Sequence, residues 1–433
     1  MRKNRIFTVH LGCSKNQVDA ECLVTEFLYQ GFETANSAEE TDYILINTCG
    51  FIEPAKEEAI ETILSHLENK KDGQKIIVTG CLSQRYGNDL KNELPEVDFW
   101  AGTYKPQELL KNMGIIKSSD CPVPVRKNLG GFTHHAYLKI AEGCDRQCAY
   151  CAIPGIRGRQ VSRSIEDIVT EAKALEESGV KELTLIAQDT TYYGREKNAP
   201  KGFLKDLLKA LLKETNIPWI RTLYWYPAFI DDELLDLIAS EKRLCKYIDL
   251  PIQHASNRVL KSMCRRYSKE ELQDLLLKIR EKIPGVTLRT TVLVGFPGET
   301  EDDFNDLLEL LEEIRFEHLG GFVYSPEEGT VAEKLRLESV PEEIARERLS
   351  IVTELQENIS LENNEALIGK EITVLLDEVA DESEFHFYGR TESNSMDVDD
   401  IVRVVEGSGD VGTLRRALVI DATPHELDVK LLP

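Results

Sequence analysis

HAYLKIAEGCDRQCAYCAIPG, residues 135–155, runs from a short strand-like segment into three cysteines spaced C-x3-C-x2-C: Cys144, Cys148 and Cys151. Thiolates are soft ligands that suit iron–sulfur clusters or zinc. Three ligands on one tight loop leave one corner of an iron–sulfur cubane without a protein ligand. Structural zinc prefers four protein ligands, and no fourth Cys or His follows just beyond this loop. A helix would also place positions i, i+4 and i+7 on one buried face. Gly143 before the motif and Pro154 and Gly155 after it argue against a long helix there.

Outward from this loop, a strand–helix rhythm continues for some 200 residues. Candidate strands are Ala136–Ala141, Glu182–Ala187, Trp219–Tyr224, Tyr247–Leu250, Val286–Val294 and Leu319–Tyr324. Six such units suit a TIM-like barrel or an open part-barrel, whose sites gather at the carboxyl ends of the strands. Gln188 and Asp189 follow the second strand, and Gln253 follows the fourth. Gly295, Pro297 and Gly298 follow the fifth, and Tyr324 ends the last. The Gly-rich turn serves either close backbone approach to a ligand or an ordinary strand-to-helix turn capped by Glu299 and Thr300. Arg289 is expected to pair a carboxylate, in the site or in a surface salt bridge. Arg157, Arg159 and Arg163 follow the cysteine loop and either hold a carboxylate or line a solvated segment. The aromatic run Tyr224–Phe229 is expected to pack in the core more than to line a cavity.

Residues 1–115 also alternate between strands and helices, which argues for a parallel sheet. RIFTVHLG, DYILINT and KIIVTG are the strands, with helices at Asp19–Tyr29 and Pro54–Leu67. Cys13, Cys49 and Cys81 each lie just past one strand. The carboxyl ends of parallel strands share one edge, so these three either converge on a ligand or are buried core cysteines. Cys22, Cys121, Cys245 and Cys264 lack this placement. Residues 116–134 carry Pro, Gly and Ser and read as a linker to the second domain, 135–362. That domain ends in a charged amphipathic helix, Pro341–Glu365. Residues 363–433 alternate short strands and turns, as a small antiparallel β-barrel does.

The chain has 433 residues, 42% hydrophobic and 30% charged, and a net charge of −24. So acidic a surface binds phosphate backbones poorly. Residues 366–433 hold six Lys/Arg against fifteen Asp/Glu. That imbalance attracts a basic partner or serves solubility alone. No apolar run nears the ~20 residues of a membrane span, and the N-terminus lacks the apolar core of a secretory signal. A cytoplasmic location is expected, where ten cysteines point to metal or catalysis rather than disulfides.

The cysteine loop at the end of a first barrel strand resembles that of the radical S-adenosylmethionine (SAM) enzymes. The resemblance implies a [4Fe–4S] cluster on Cys144, Cys148 and Cys151. SAM would chelate the open iron, and reduction would cleave it to a 5′-deoxyadenosyl radical. Radical chemistry of this kind belongs to the cofactor, because an unactivated C–H bond offers acid–base residues nothing. Tyr150 occupies the family's adenine-contacting position. Gln188, Gln253, Arg289, Gly295 and Tyr324 are the other expected SAM contacts.

Two tri-cysteine sites followed by a β-barrel resemble, over nearly the whole chain, the radical SAM methylthiotransferases. These combine a flavodoxin-like N-terminal domain, a radical SAM domain and a C-terminal TRAM domain. The resemblance implies a second [4Fe–4S] cluster on Cys13, Cys49 and Cys81. Leu11–Glu21, Asn47–Glu58 and Pro251–Arg266 resemble the RimO-type members, which modify an aspartate of ribosomal protein uS12. His254 is the subtype marker, as a loop residue or a substrate contact. The implied reaction places a methylthio group on the aspartate β-carbon, with a flavodoxin- or ferredoxin-type reductant. A tRNA adenosine methylthiotransferase and a non-enzymatic iron–sulfur sensor are the alternatives.

Overall fold

Two of the N-terminal apolar runs, DYILINT and KIIVTG, are buried on both faces at the centre of a parallel sheet, and RIFTVHLG lies half-buried beside them. The computed structural model describes residues 3–103, 106–117, 124–197, 199 and 202–433. Cys121 and residues 118–123 of the expected linker lie outside the described residues. The first unit contains β1 (Arg5–His10), α1 (Ser14–Tyr29), β2 (Glu33–Thr34), β3 (Tyr43–Thr48) and α2 (Glu53–Glu68). It continues with β4 (Lys75–Gly80), α3 (Cys81–Glu93), β5 (Phe99–Trp100) and α4 (Pro106–Asn112). The strand order is β2-β1-β3-β4-β5, the flavodoxin-like arrangement with its crossover reversal between β1 and β3. His10 pairs with Asn47 and Asn47 with Thr79, so the three central strands end level with one another.

The second unit opens with β6 (His135–Lys139), β7 (Ala141–Glu142), α5 (Ile153–Arg157) and β8 (Val161–Ser162). Next come α6 (Ile165–Glu177), β9 (Glu182–Ile186), α7 (Leu204–Glu214), β10 (Trp219–Thr222), α8 (Asp232–Ser240) and β11 (Tyr247–Asp249). It closes with α9 (Asn257–Ser262), α10 (Lys269–Lys282), β12 (Thr287–Val294), α11 (Glu301–Ile314), β13 (His318–Val323) and α12 (Glu342–Glu365). Two parallel sheets, β10-β9-β6 and β11-β12-β13, are joined by a parallel bridge between Ile220 and Leu244. The result is a six-stranded part-barrel. Leu183, Leu185, Ile220, Ile248 and Leu288 face outward and are buried under the helices.

The third unit is a closed barrel ordered β14-β15-β16-β18-β17. Its strands are β14 (Glu371–Val379), β15 (Phe387–Arg390), β16 (Ile401–Glu406), β17 (Leu414–Ala422) and β18 (Glu426–Leu431). The loop between β15 and β16 stoppers the amino-terminal mouth of the part-barrel. Tyr137 donates to Asp397 (2.9 Å), Tyr247 to Asp399 (2.6 Å), and Arg221 to the Glu392 carbonyl (2.8 Å). Thr287 and His318, which open their strands, meet Ser393 at 2.8 and 2.7 Å.

Arg289 and the expected linker take their places around this closure. Arg289 lies inside the barrel but only three residues into β12, near the closed end. Its guanidinium makes the expected carboxylate pairing, with Asp249 (3.0 Å) and Asp399 (3.1 Å), and so fastens the stopper. The described part of the expected linker is packed against its neighbours. Arg126 is buried between Glu21 and Glu171 and donates to the Tyr137 carbonyl, while His134 meets Asp377 at 2.8 Å. Composition signals a break in secondary structure, but it carries no information on tertiary ion pairs. No described helix is long and apolar enough to cross a membrane.

Candidate active site

Three strands that end level deliver three cysteines to one edge. Cys13 precedes α1, Cys49 follows β3 and Cys81 opens α3. Gly12, at φ +100°, lets the first loop lie against the second; a Cβ there would be 2.9 Å from the Cβ of Cys49. The three thiols are close enough to act on one another electrostatically: Cys49 feels Cys13, and Cys81 feels both. Burial pushes the Cys81 thiol up to about 11 against the pull of Arg157, and burial also raises Cys49. For Cys13, burial is outweighed by Lys15, the Asn16 amide and Arg157, and the net shift is downward.

The second triad is local. Gly143, at φ +77°, turns the chain out of β7, where any Cβ would fall 2.2 Å from the Arg159 carbonyl oxygen. Cys144, Cys148 and Cys151 follow, and Cys151 feels the charge of both others. Burial drives Cys144 up to about 11 and Cys151 up to about 12. These thiols must lose protons on binding a metal, which would stabilise three adjacent thiolates.

The two triads adjoin. Helix α5 begins two residues after Cys151 and packs against α3, which begins at Cys81. Arg157 ends α5 and donates to the sulfur of Cys81 at 3.4 Å and to Asn16. Among the described residues no three His, Cys, Asp or Glu side chains are grouped tightly enough for a single metal ion. Six free thiols in two sets, each beside a guanidinium, form a soft donor set that suits iron–sulfur centres.

Residues 138–311 match the model of the Radical SAM superfamily, and residues 5–102 match that of Uncharacterized protein family UPF0004. The ribosomal protein uS12 methylthiotransferase RimO of Myxococcus xanthus is 41% identical, across 99% of this chain and 91% of its own. Those of Clostridioides difficile and Aquifex aeolicus are each 43% identical, the first across 96% of both chains and the second across 98% and 96%. The chain belongs to the RimO family of radical SAM methylthiotransferases. The radical SAM methyltransferase TsrM of Kitasatospora setae shares the fold, with a TM-score of 0.56 at 14% identity over 74% of this chain and 75% of that one. The cobalamin-dependent radical enzyme OxsB does so at 0.52 and 12%, over 82% and 56%.

Within this RimO-family site, the remaining expected residues separate. Gln188 follows β9 with both ends of its buried amide unpartnered, an arrangement that costs stability unless a ligand completes it. Gln253 follows β11 at φ +67°, a strained conformation for a non-glycine residue. Asp189 is not free: it accepts from Arg146 (2.6 Å), Thr191 (2.6 Å) and the Tyr192 amide (3.1 Å). Tyr150 is half-buried against the cluster of Ala149, Met263 and Phe296, with Tyr324 edge-on to Phe296. Gly295 owes its lack of a side chain to α12, because a Cβ there would meet Ala345 at 2.6 Å. Thr300 caps α11, whereas Glu299 instead accepts from Phe296 and pairs with Arg348. His254 is fully buried; its Nδ1 accepts from the Ser256 amide at 3.0 Å, a loop-holding role.

Sequence reading missed the most prominent side chain of the second triad. Arg265 donates to the Cys148 sulfur (3.4 Å), the Tyr150 hydroxyl (3.4 Å) and the Pro251 carbonyl (2.5 Å). Its guanidinium packs against Tyr226 and Tyr267, which meet edge to face, and Arg146 also packs on Tyr226. Of the aromatic run 224–229, Tyr226 therefore borders the site, while Trp225 packs in the core as expected. Arg157, Arg159 and Arg163 also divide. Arg157 serves the first triad, and Arg163 pairs with Asp167 and Glu171.

Proposed function

We propose that this chain places a methylthio group on the β-carbon of an aspartate in ribosomal protein uS12. Cys144, Cys148 and Cys151 would hold the [4Fe–4S] cluster that takes SAM, and Cys13, Cys49 and Cys81 would hold a second one. Bound there, the clusters and SAM supply the electron, the hydrogen-abstracting radical and the sulfur. The observation that carries the reading is α5, which links the two triads directly: one thiol set begins it and the guanidinium at its end touches the other.

The chain's own residues would do the rest. Gln188 offers an unpaired amide to the amino-acid end of SAM, and Tyr150 and Tyr324 border the place for its adenine. Gln253 is held at the mouth of β11 in a strained turn that aims its side chain. The aromatic walls Tyr226 and Tyr267 exclude water around Cys148. A flavodoxin- or ferredoxin-type protein would deliver electrons, and the work would take place in the cytoplasm where uS12 is made. In the test, uS12 is incubated without oxygen with reconstituted enzyme, SAM, sulfide and reductant. A methylthio mass on one aspartate is expected. Unmodified uS12, together with methylthioadenosine missing from tRNA of cells lacking the protein, would overturn the reading.

A further inference from the structure

Between β13 and α12, the segment 327–332 touches both cysteine sets. At one end Arg85, one turn beyond Cys81 on α3, grips it with both arms of its guanidinium. One arm donates to the Glu327 carboxylate at 2.8 Å and the other to the Glu328 carbonyl at 2.8 Å. The arm on Glu327 also donates to the carbonyl of Gly50, the residue after Cys49, at 3.2 Å. At the other end the Ala332 amide donates to the carbonyl of Ala149, between Cys148 and Cys151, at 2.7 Å.

Both ends are stiff. Within the segment, the Thr330 hydroxyl donates to the Glu327 carbonyl at 2.7 Å and the Gly329 amide to Glu333 at 2.7 Å. Ala332 is buried in the apolar cluster of Ala149, Met263 and Phe296. On the side of the first unit, Gly50 lies flat on the start of α3, where a Cβ would come within 2.6 Å of the Leu82 backbone. The Cys49 loop and the Cys81 end of α3 therefore move as one piece, and Arg85 carries both.

An exposed ion pair holds little in place. This one is enclosed: the Arg85 and Glu327 side chains are 11% and 2% exposed, and Lys56 meets the same Glu327 oxygen at 3.0 Å. Removing either partner strands the other away from water. The planar fork serves three acceptors at once, which a flexible ammonium does not copy. Arg157 already ties α5 to Cys81 and Asn16. One link sets a distance but leaves two bodies free to turn about it; a second link beside Cys49 removes that freedom.

We infer that Arg85 and Glu327 are positioning residues that hold the two cysteine sets at a working separation, with residues 327–332 as the spacer. The inference rests on the proposed uS12 reaction, in which both centres serve one carbon atom, so that a misplacement of about 1 Å is costly.

The test uses the reconstituted full-length enzyme as Arg85→Gln and, releasing the same clasp from the part-barrel side, Glu327→Gln. Both should keep the wild-type iron content and the wild-type rate of 5′-deoxyadenosine formation from SAM. Methylthiolated uS12 formed per 5′-deoxyadenosine should fall by about 10- to 100-fold. In the absence of uS12, the magnetic interaction between the two reduced clusters, read by electron paramagnetic resonance, should weaken. Glu327→Gln supplies both readings should Arg85→Gln lose iron. An unchanged product ratio, an unchanged magnetic interaction or iron loss in both variants overturns the inference. Should wild-type enzyme leave uS12 unmodified while the magnetic interaction still weakens in the variants, the clasp stands and the proposed uS12 reaction fails.

Discussion

The two cysteine triads reach similar chemistry by opposite routes. One is gathered from three strand ends spread over residues 13–81, so its geometry is a property of a whole sheet. The other occupies eight consecutive residues, so its geometry is a property of one loop. Their cations differ as well. Arg157, beside Cys81, is largely neutralised by Asp19 (3.0 Å) and Glu142 (2.8 Å). Arg265, beside Cys148, is surrounded by Tyr150, Tyr226, Tyr267 and a backbone carbonyl, with no ion pair among the described residues. A guanidinium without a carboxylate delivers its full charge to whatever the neighbouring thiolates hold. The guanidinium beside the first set is therefore largely cancelled, leaving Lys15 beside Cys13 as its main positive charge, whereas the second set feels Arg265 undiminished.

The comparison can be broken most severely by removing one set of ligands at a time. Replacing Cys144, Cys148 and Cys151 by Ala should lower iron from about eight to about four per chain, and replacing Cys13, Cys49 and Cys81 should do the same. Either loss should abolish methylthiolation. Iron and sulfide assays read the first result and mass spectrometry of uS12 the second. If one triple replacement removes all the iron, the sites do not load independently.

A gentler intervention separates the arginines. Arg265→Met should lower the midpoint potential of the cluster on Cys144, Cys148 and Cys151 by on the order of 100 mV, the effect of deleting one charge a few ångströms away at an effective dielectric near 20. Arg157→Met should move the other centre several-fold less, because Asp19 and Glu142 already cancel most of its field. Potentiometric titration followed by electron paramagnetic resonance measures both; equal shifts would refute the contrast. Smaller effects are expected at the glycines. Gly143→Ala faces a fixed backbone oxygen at 2.2 Å, and Gly12→Ala faces a side chain at 2.9 Å. Each should cost about 1–3 kcal/mol in strain, the first more than the second, with partial iron loss confined to its own triad.

The least effect on either centre should come from Glu182→Gln, at the closed end of the barrel. Burial pushes this carboxyl up, but Arg390 and Arg221 outweigh burial and hold it at about 2. Its folded value is below its unfolded one, so its stabilisation is complete above about 4.5 and fades as pH falls through about 2. Breaking this buried network should cost about 3 kcal/mol at neutral pH, read by denaturant unfolding. The gap between wild type and variant should narrow in acid, and both cluster potentials should stay in place.

Much of this was legible before folding. Level strand ends follow from period and β-branching, so Cys13, Cys49 and Cys81 could be matched to one edge, and the barrel strands were located to within one or two residues. What could not be read depends on which distant groups meet. Arg265 lies 117 positions from Cys148, and only the aromatic walls and the turn after α9 bring it there. Arg289 shows the converse. Its place near the start of its strand was legible, but Asp399, the partner that the terminal barrel brings to that end, was not. Arg126 was hidden in a composition typical of loose chain.

The stopper loop has a consequence for how such proteins can be recombined. Because Ser393, Asp397 and Asp399 hydrogen-bond residues at or near the start of four different strands, the terminal barrel is part of the floor of the reaction chamber. Grafting another module in its place would succeed only if Tyr137, Arg221, Tyr247 and Arg289 were rewritten along with it. The two units should therefore have diverged in step, each tolerating only those changes its neighbour could absorb.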